Sequence, residues 1–80
     1  MGHRDIAVGG PNAKFGKDTI KGKLTITNTS SDAKGKYDIE VGNDSHAGED
    51  LAVSGHRDWA VDGKTATVKN KGGTKLSLDW

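Results

Sequence analysis

The residues best suited to chemistry are two His-x-Asp elements, His3 with Asp5 and His56 with Asp58. In an extended strand, residues two apart project from one face, so each element sets an imidazole beside a carboxylate. Brought together on neighbouring strands, His3, Asp5, His56 and Asp58 would offer two nitrogen and two carboxylate ligands. That set suits zinc or another borderline divalent ion. The competing explanation is a solvated face on duplicated strands, because Gly2-His3-Arg4-Asp5 and Gly55-His56-Arg57-Asp58 carry the same four residues.

A second set would recognise a ligand rather than a metal. Asp5, Asp38 and Asp58 have outward parity, and Trp80 offers an aromatic edge of the kind that sugar- and protein-binding surfaces use. Trp59 has the parity of the core. A third set is basic: Lys21, Lys23, Lys69, Lys71 and Lys75 would line a groove for single-stranded nucleic acid if the two lysine-rich blocks adjoin. Few aromatics lie among those lysines, which weakens that reading.

Other patterns fail on their spacing. Residues 43–50 are rich in oxygen ligands but lack the fixed Asp/Asn spacing of a calcium loop. Gly10 to Lys17 is one residue too long for a phosphate loop, and Asp18 stands where Ser or Thr is needed. Ser54 and His56 are too close along one strand to act as nucleophile and base, and no serine sits in a nucleophile elbow. No catalytic residues and no cofactor are expected.

These side chains need elements to position them, and the pattern is β throughout. Apolar residues spaced by two recur in Ile6/Val8, Leu24/Ile26, Tyr37/Ile39/Val41, Leu51/Val53, Trp59/Val61, Ala66/Val68 and Leu76/Leu78/Trp80. Twelve glycines interrupt every candidate helix. Ile20 shares parity with Leu24, so one long strand is expected over residues 19–27. Asp62-Gly63 predicts a tight primed turn, and Lys71-Gly72-Gly73 predicts a second hairpin. Residues 29–35 and 42–48 read as polar loops.

A motif also recurs: Arg4-Asp5-Ile6-Ala7-Val8-Gly9, Tyr37-Asp38-Ile39-Glu40-Val41-Gly42, and Arg57-Asp58-Trp59-Ala60-Val61-Asp62. Each copy is tied to a second signature, Lys23-Leu24-Thr25-Ile26, Asp50-Leu51-Ala52-Val53 or Lys75-Leu76-Ser77-Leu78. The reading is one domain over residues 1–80, all-β, a small barrel or compact sandwich of six to eight short strands. It would be built from about three degenerate hairpin repeats, near 2–28, 29–54 and 55–80. The near-identical segments 2–8 and 55–61 are expected to fill equivalent slots in the sheet, which also invites strand exchange.

The stretch from Leu24 to Asn28 and from Lys34 to Asn43 resembles the E–F portion of an intermediate-set immunoglobulin domain, which implies a tyrosine corner at Tyr37. Ala33 stands where that pattern carries Asp, and there is no cysteine.

Composition narrows the class. Net charge is +1, but residues 14–36 carry six lysines against Asp18 and Asp32, while residues 37–63 carry Arg57 against seven acids. Alternating blocks of this kind suit cross-strand pairing. Without cysteine there is neither a disulfide framework nor a thiolate metal site. No apolar run reaches membrane-spanning length, and no secretory leader is evident. The expected function is a non-enzymatic binding module, lectin-like or protein-docking, with carbohydrate or protein as partner. Nucleic-acid binding and a structural, self-assembling β unit are the alternatives, and a homo-oligomer or strand-swapped dimer fits the repeats.

Overall fold

A computed structural model describes residues 2–80. Among them are eight strands and no helix: β1 (His3–Ile6), β2 (Ala13–Phe15), β3 (Lys23–Asn28), β4 (Gly35–Val41), β5 (Asp44–Leu51), β6 (His56–Ala60), β7 (Ala66–Asn70) and β8 (Leu76–Asp79). They form two antiparallel four-stranded sheets, one ordered β1-β8-β3-β6 and the other β2-β7-β4-β5. Successive strands alternate between the sheets; only β4 and β5 form a hairpin within one. No helix among the described residues is long and apolar enough to cross a membrane.

The period-two pattern places the core. Leu24, Ile26, Leu76 and Leu78 point inward from the first sheet, and Tyr37, Ile39, Val41, Ala66 and Val68 from the second, into one apolar cluster. Burying each large aliphatic side chain contributes about 2 kcal/mol.

Several sequence expectations need correction. The hairpin expected around Lys71-Gly72-Gly73 is instead a crossing, since β7 and β8 lie in different sheets. Asp62 and Gly63 do form a primed turn, with φ of 51° and 81° and Lys64 N–H donating to Val61 O at 3.0 Å. That turn also joins strands of different sheets. The first and last thirds are therefore not hairpin units. The long strand expected over 19–27 begins only at Lys23. The Gly22 carbonyl instead accepts the N–H groups of Val61 and Asp62, at 3.0 and 2.9 Å. The polar loop expected over 42–48 is mostly β5.

Val8 and Val53, given core parity by their spacing, are 55% and 42% exposed. Each follows a buried residue, Ile6 or Leu51, but lies in a tight turn that breaks the alternation. In Ala7-Val8-Gly9-Gly10 and Ala52-Val53-Ser54-Gly55 the fourth N–H donates to the first carbonyl, at 3.0 and 2.9 Å. The third residue of each turn has positive φ, 69° at Gly9 and 54° at Ser54, as a type II turn requires.

Two buried asparagines anchor these turns. Asn28 Nδ2 donates to Ala52 O (3.2 Å) and Ala33 O (2.8 Å), while its Oδ1 accepts Ser30 N–H. Asn70 Nδ2 donates to Ile6 O (3.1 Å) and Thr74 O (2.8 Å), and its Oδ1 accepts Gly72 N–H. Each amide satisfies loop groups that would otherwise be buried without partners. Gly35 lets the chain pass between Asn28 and Thr74, because a Cβ there would press on Thr74 Oγ1 and the Asn28 amide.

The two Gly-His-Arg-Asp segments form opposite edges of the first sheet and meet their neighbours in matching register. Asp5 faces Ser77 as Asp58 faces Thr25, and Ile6 faces Leu76 as Trp59 faces Leu24.

Candidate binding groove on the second sheet

The outward residues of β4 and β7 form the floor of a shallow depression of about 290 Å³. Parity turns them outward, and the β4–β7 ladder brings them together. Asp38 faces Lys69 and Glu40 faces Thr67 across the β4–β7 ladder, while Asn12, just before β2, and Ser45 and His46 of β5 complete the rim.

A bulge shapes the β5 side. Tyr37 faces Glu49 and Ile39 faces His46, so Asp38 meets two residues, Ala47 and Gly48, where regular pairing would give one. Gly48 takes φ of 66°, and its N–H donates to Asp38 Oδ1 at 2.8 Å. Such a bulge bends the strand and increases its twist, which hollows the sheet at this point. Ser45 Oγ donates to Glu40 Oε2 at 3.0 Å. The floor thus offers two carboxylates with spare acceptor capacity beside a hydroxyl, an amide and an ammonium.

On the opposite, inner face of this edge, where His46 faces Ile39 and Glu49 faces Tyr37, stands an aromatic cluster. The His46 and Trp59 rings are 4.8 Å apart, tilted by 45°. Arg57 lies 4.4 Å over the Trp59 ring and donates to Glu49 Oε1 at 2.9 Å. Trp59 Nε1–H donates to the Tyr37 hydroxyl at 2.8 Å. The Tyr37 hydroxyl, which the immunoglobulin resemblance would aim at backbone, thus meets an indole. Burial holds the Tyr37 pKa above its ordinary value, opposed in part by that hydrogen bond. Trp59 is half-buried against the core rather than enclosed within it. Together these contacts tie β5, an edge of one sheet, to β6, an edge of the other.

The His-x-Asp elements do not converge. His3 and Asp5 lie on β1, His56 and Asp58 on β6, with β8 and β3 between them. Three strand spacings of about 4.8 Å are far beyond the reach of one ion. Among the described residues no group of three His, Asp or Glu side chains is arranged to hold a metal. Instead each pair finds local partners. Asp58 accepts from Thr25 Oγ1 at 2.6 Å and Lys23 Nζ at 3.2 Å, and these hold its carboxyl below the usual range. His3 Nδ1 lies 2.7 Å from Asp79 Oδ1 and Nε2 lies 2.9 Å from Asp5 Oδ1.

Between two carboxylates, the His3 imidazole titrates above its ordinary 6.5, chiefly through the Asp79 hydrogen bond and then the Asp5 charge, with desolvation opposing. A raised pKa in the folded chain means that the stabilisation is complete below about pH 6.5, the unfolded value, and is lost as pH rises through the folded value. The melting temperature should therefore fall more between pH 6 and 8.5 in the parent than in His3→Gln. Parallel curves would show that the imidazolium stabilises nothing.

The remaining candidates are dispersed. Trp80 is half-buried and packs edge-on against Phe15, with centroids 4.7 Å apart, so one face supports the core. With Gly2, His3 and Asp79 it lines a second recess of about 320 Å³. Lys23 pairs with Asp58, Lys75 approaches Asp5 at 3.9 Å, and Lys69 faces Asp38 on the other sheet. Lys21 precedes β3, and Lys71 lies in the β7–β8 crossing, where its N–H donates to Lys36 O. The five lysines thus divide between the two sheets and their connections, three of them beside carboxylates.

Of the groove residues, the sequence singled out Asp38 and Lys69, in separate readings. It missed Asn12, Glu40, Ser45, His46 and Thr67 as members of one site. The outward parity of Glu40 and Thr67 was available, but the pairing of β4 with β7 was not. Comparison with known protein families, with curated proteins and with solved structures finds no match to this chain.

Proposed function

We propose that this chain is a non-enzymatic binding module whose groove over β7, β4 and β5 takes a short carbohydrate. The observation that carries this reading is the adjacency of Asp38 and Glu40 to Thr67, Asn12 and Lys69 in one concave surface. Vicinal sugar hydroxyls donate to carboxylates and accept from amide and ammonium groups, so such a floor fixes a polyol in orientation. Ser45, opposite Glu40, adds a hydroxyl on the same outward face. Within this reading the two sheets stack as a compact sandwich, and the first and last thirds are related units.

A glycan array followed by titration calorimetry tests it. Glu40→Gln with Thr67→Val should weaken the best glycan at least tenfold, about 1.4 kcal/mol, while leaving the melting temperature unchanged. An array without hits, or a double variant that binds as the parent does, would remove the carbohydrate reading.

Protein docking is the second reading, supported by the exposed tips Val8 and Val53, each on a turn fixed by a buried asparagine. Nucleic-acid binding is the weaker proposal, because three of the five lysines lie beside carboxylates.

A further inference from the structure

We propose that the edge of β8 covered by β1 is an exchangeable strand-binding slot, and that its second occupant is the β1 segment, residues 2–6, of another copy of this chain. The inference is independent of the groove.

The slot has a recognisable specificity. Gly2 and Trp80 exchange both backbone hydrogen bonds, so the antiparallel alternation puts the next bonded pairs at Arg4/Leu78 and Ile6/Leu76. A side chain at position 2 would overlap the Trp80 indole, which selects glycine there. Asp5 faces Ser77 and lies 3.9 Å from Lys75. Ile6 is buried. The edge therefore reads Gly-x-x-Asp followed by an apolar residue.

The chain itself contains a second solution to the same problem. Gly55-His56-Arg57-Asp58-Trp59 lies on β3 as Gly2-His3-Arg4-Asp5-Ile6 lies on β8, with Asn28 N–H donating to Gly55 O at 2.8 Å. Asp58 there meets Thr25 and Lys23, the counterparts of Ser77 and Lys75. That one sequence fits two edges in one register shows that recognition rests on the segment and the edge, not on the connection joining them.

The two occupants differ in how firmly they are held. β6 is fastened by Trp59 to Tyr37 and by Arg57 to Glu49, and just beyond it by the Val61 and Asp62 N–H groups on Gly22 O. Of the four β1 residues only Ile6 is buried. The β1–β2 connection spans residues 7–12 and contains Gly9 and Gly10. Opened, six residues reach about 20 Å, enough to deliver β1 to a neighbouring copy.

The chain has no cysteine, so single cysteines can report the exchange. Asp5 and Ser77 form a non-bonded antiparallel pair, whose Cα separation of about 4.5 Å suits a disulfide. Asp5→Cys and Ser77→Cys in one chain calibrate the register by closing an intramolecular bond. The two substitutions are then placed in separate full-length copies distinguished by a mass tag, mixed in denaturant, refolded together and oxidised. Cross-linked heterodimer should exceed that from a Thr19→Cys and Ser77→Cys mixture at least tenfold, and should rise with protein concentration. Cross-linking no greater than in that control, with the single-chain variant closing normally, would overturn the proposal.

Discussion

Asn70→Ala is expected to destabilise the domain by about 3–5 kcal/mol, because several buried backbone groups lose their partners together, at about 1–3 kcal/mol each. The amide donates to Ile6 O and Thr74 O and accepts from Gly72 N–H, at 3.1, 2.8 and 3.1 Å. Each of those groups lies where the chain leaves one sheet for the other. Total stability of a small domain is about 5–15 kcal/mol, so the variant should be poorly folded at 37 °C. Chemical denaturation measures the effect. Asn70→Asp keeps the acceptor and loses the donors, and it should also be strongly destabilised by the charge it buries. A loss under about 1 kcal/mol for the alanine variant would mean that the loop carbonyls find solvent as the site opens.

Trp59→Ala should cost about 2–4 kcal/mol, somewhat less than removing a fully enclosed indole. Part of the side chain is already wet, but it packs against the core beside Tyr37, which is fully buried, and its N–H satisfies the Tyr37 hydroxyl. Two contributions can be separated by a cycle with Tyr37→Phe. Trp59→Phe keeps much of the packing and orphans the hydroxyl; adding Tyr37→Phe should then restore about 1 kcal/mol. Strict additivity of the two substitutions would show that the hydrogen bond contributes nothing. The same variants report on His46, which leans on Trp59 and should lose its fixed orientation when the indole is gone.

Residues 37–41 show what the sequence makes legible. Tyr37, Ile39 and Val41 face the core and Asp38 and Glu40 face outward, as a period of two demands. The primed turn at Asp62-Gly63 was equally readable, because two consecutive positive φ values leave few residue choices. What the local pattern could not carry was partnership. Lys71-Gly72-Gly73 has the composition of a hairpin whether the next strand folds back or crosses to another sheet. The difference lies in Asn70, whose amide reaches residues 6 and 74, a contact with no periodic signature. For the same reason the groove was visible only in fragments, as Asp38 in one candidate set and Lys69 in another. Val8 and Val53 misled because parity was carried through turns that reset it.

The alternation of strands between sheets has a consequence for the order in which the molecule can be made. Apart from β4–β5, no strand has its chain neighbour as its ladder partner, so neither layer exists as a contiguous piece that can form early. Closure of long loops must precede most of the reward, which places such a topology in the millisecond-to-second range of refolding. On a ribosome the delay is longer. His3 is separated by 76 residues from Asp79, against which it finally lies, several seconds of elongation at roughly 5–20 residues per second. The segment that emerges early thus waits unpaired until the residues opposite it are free, and neighbouring chains on the same message are near enough to meet it first.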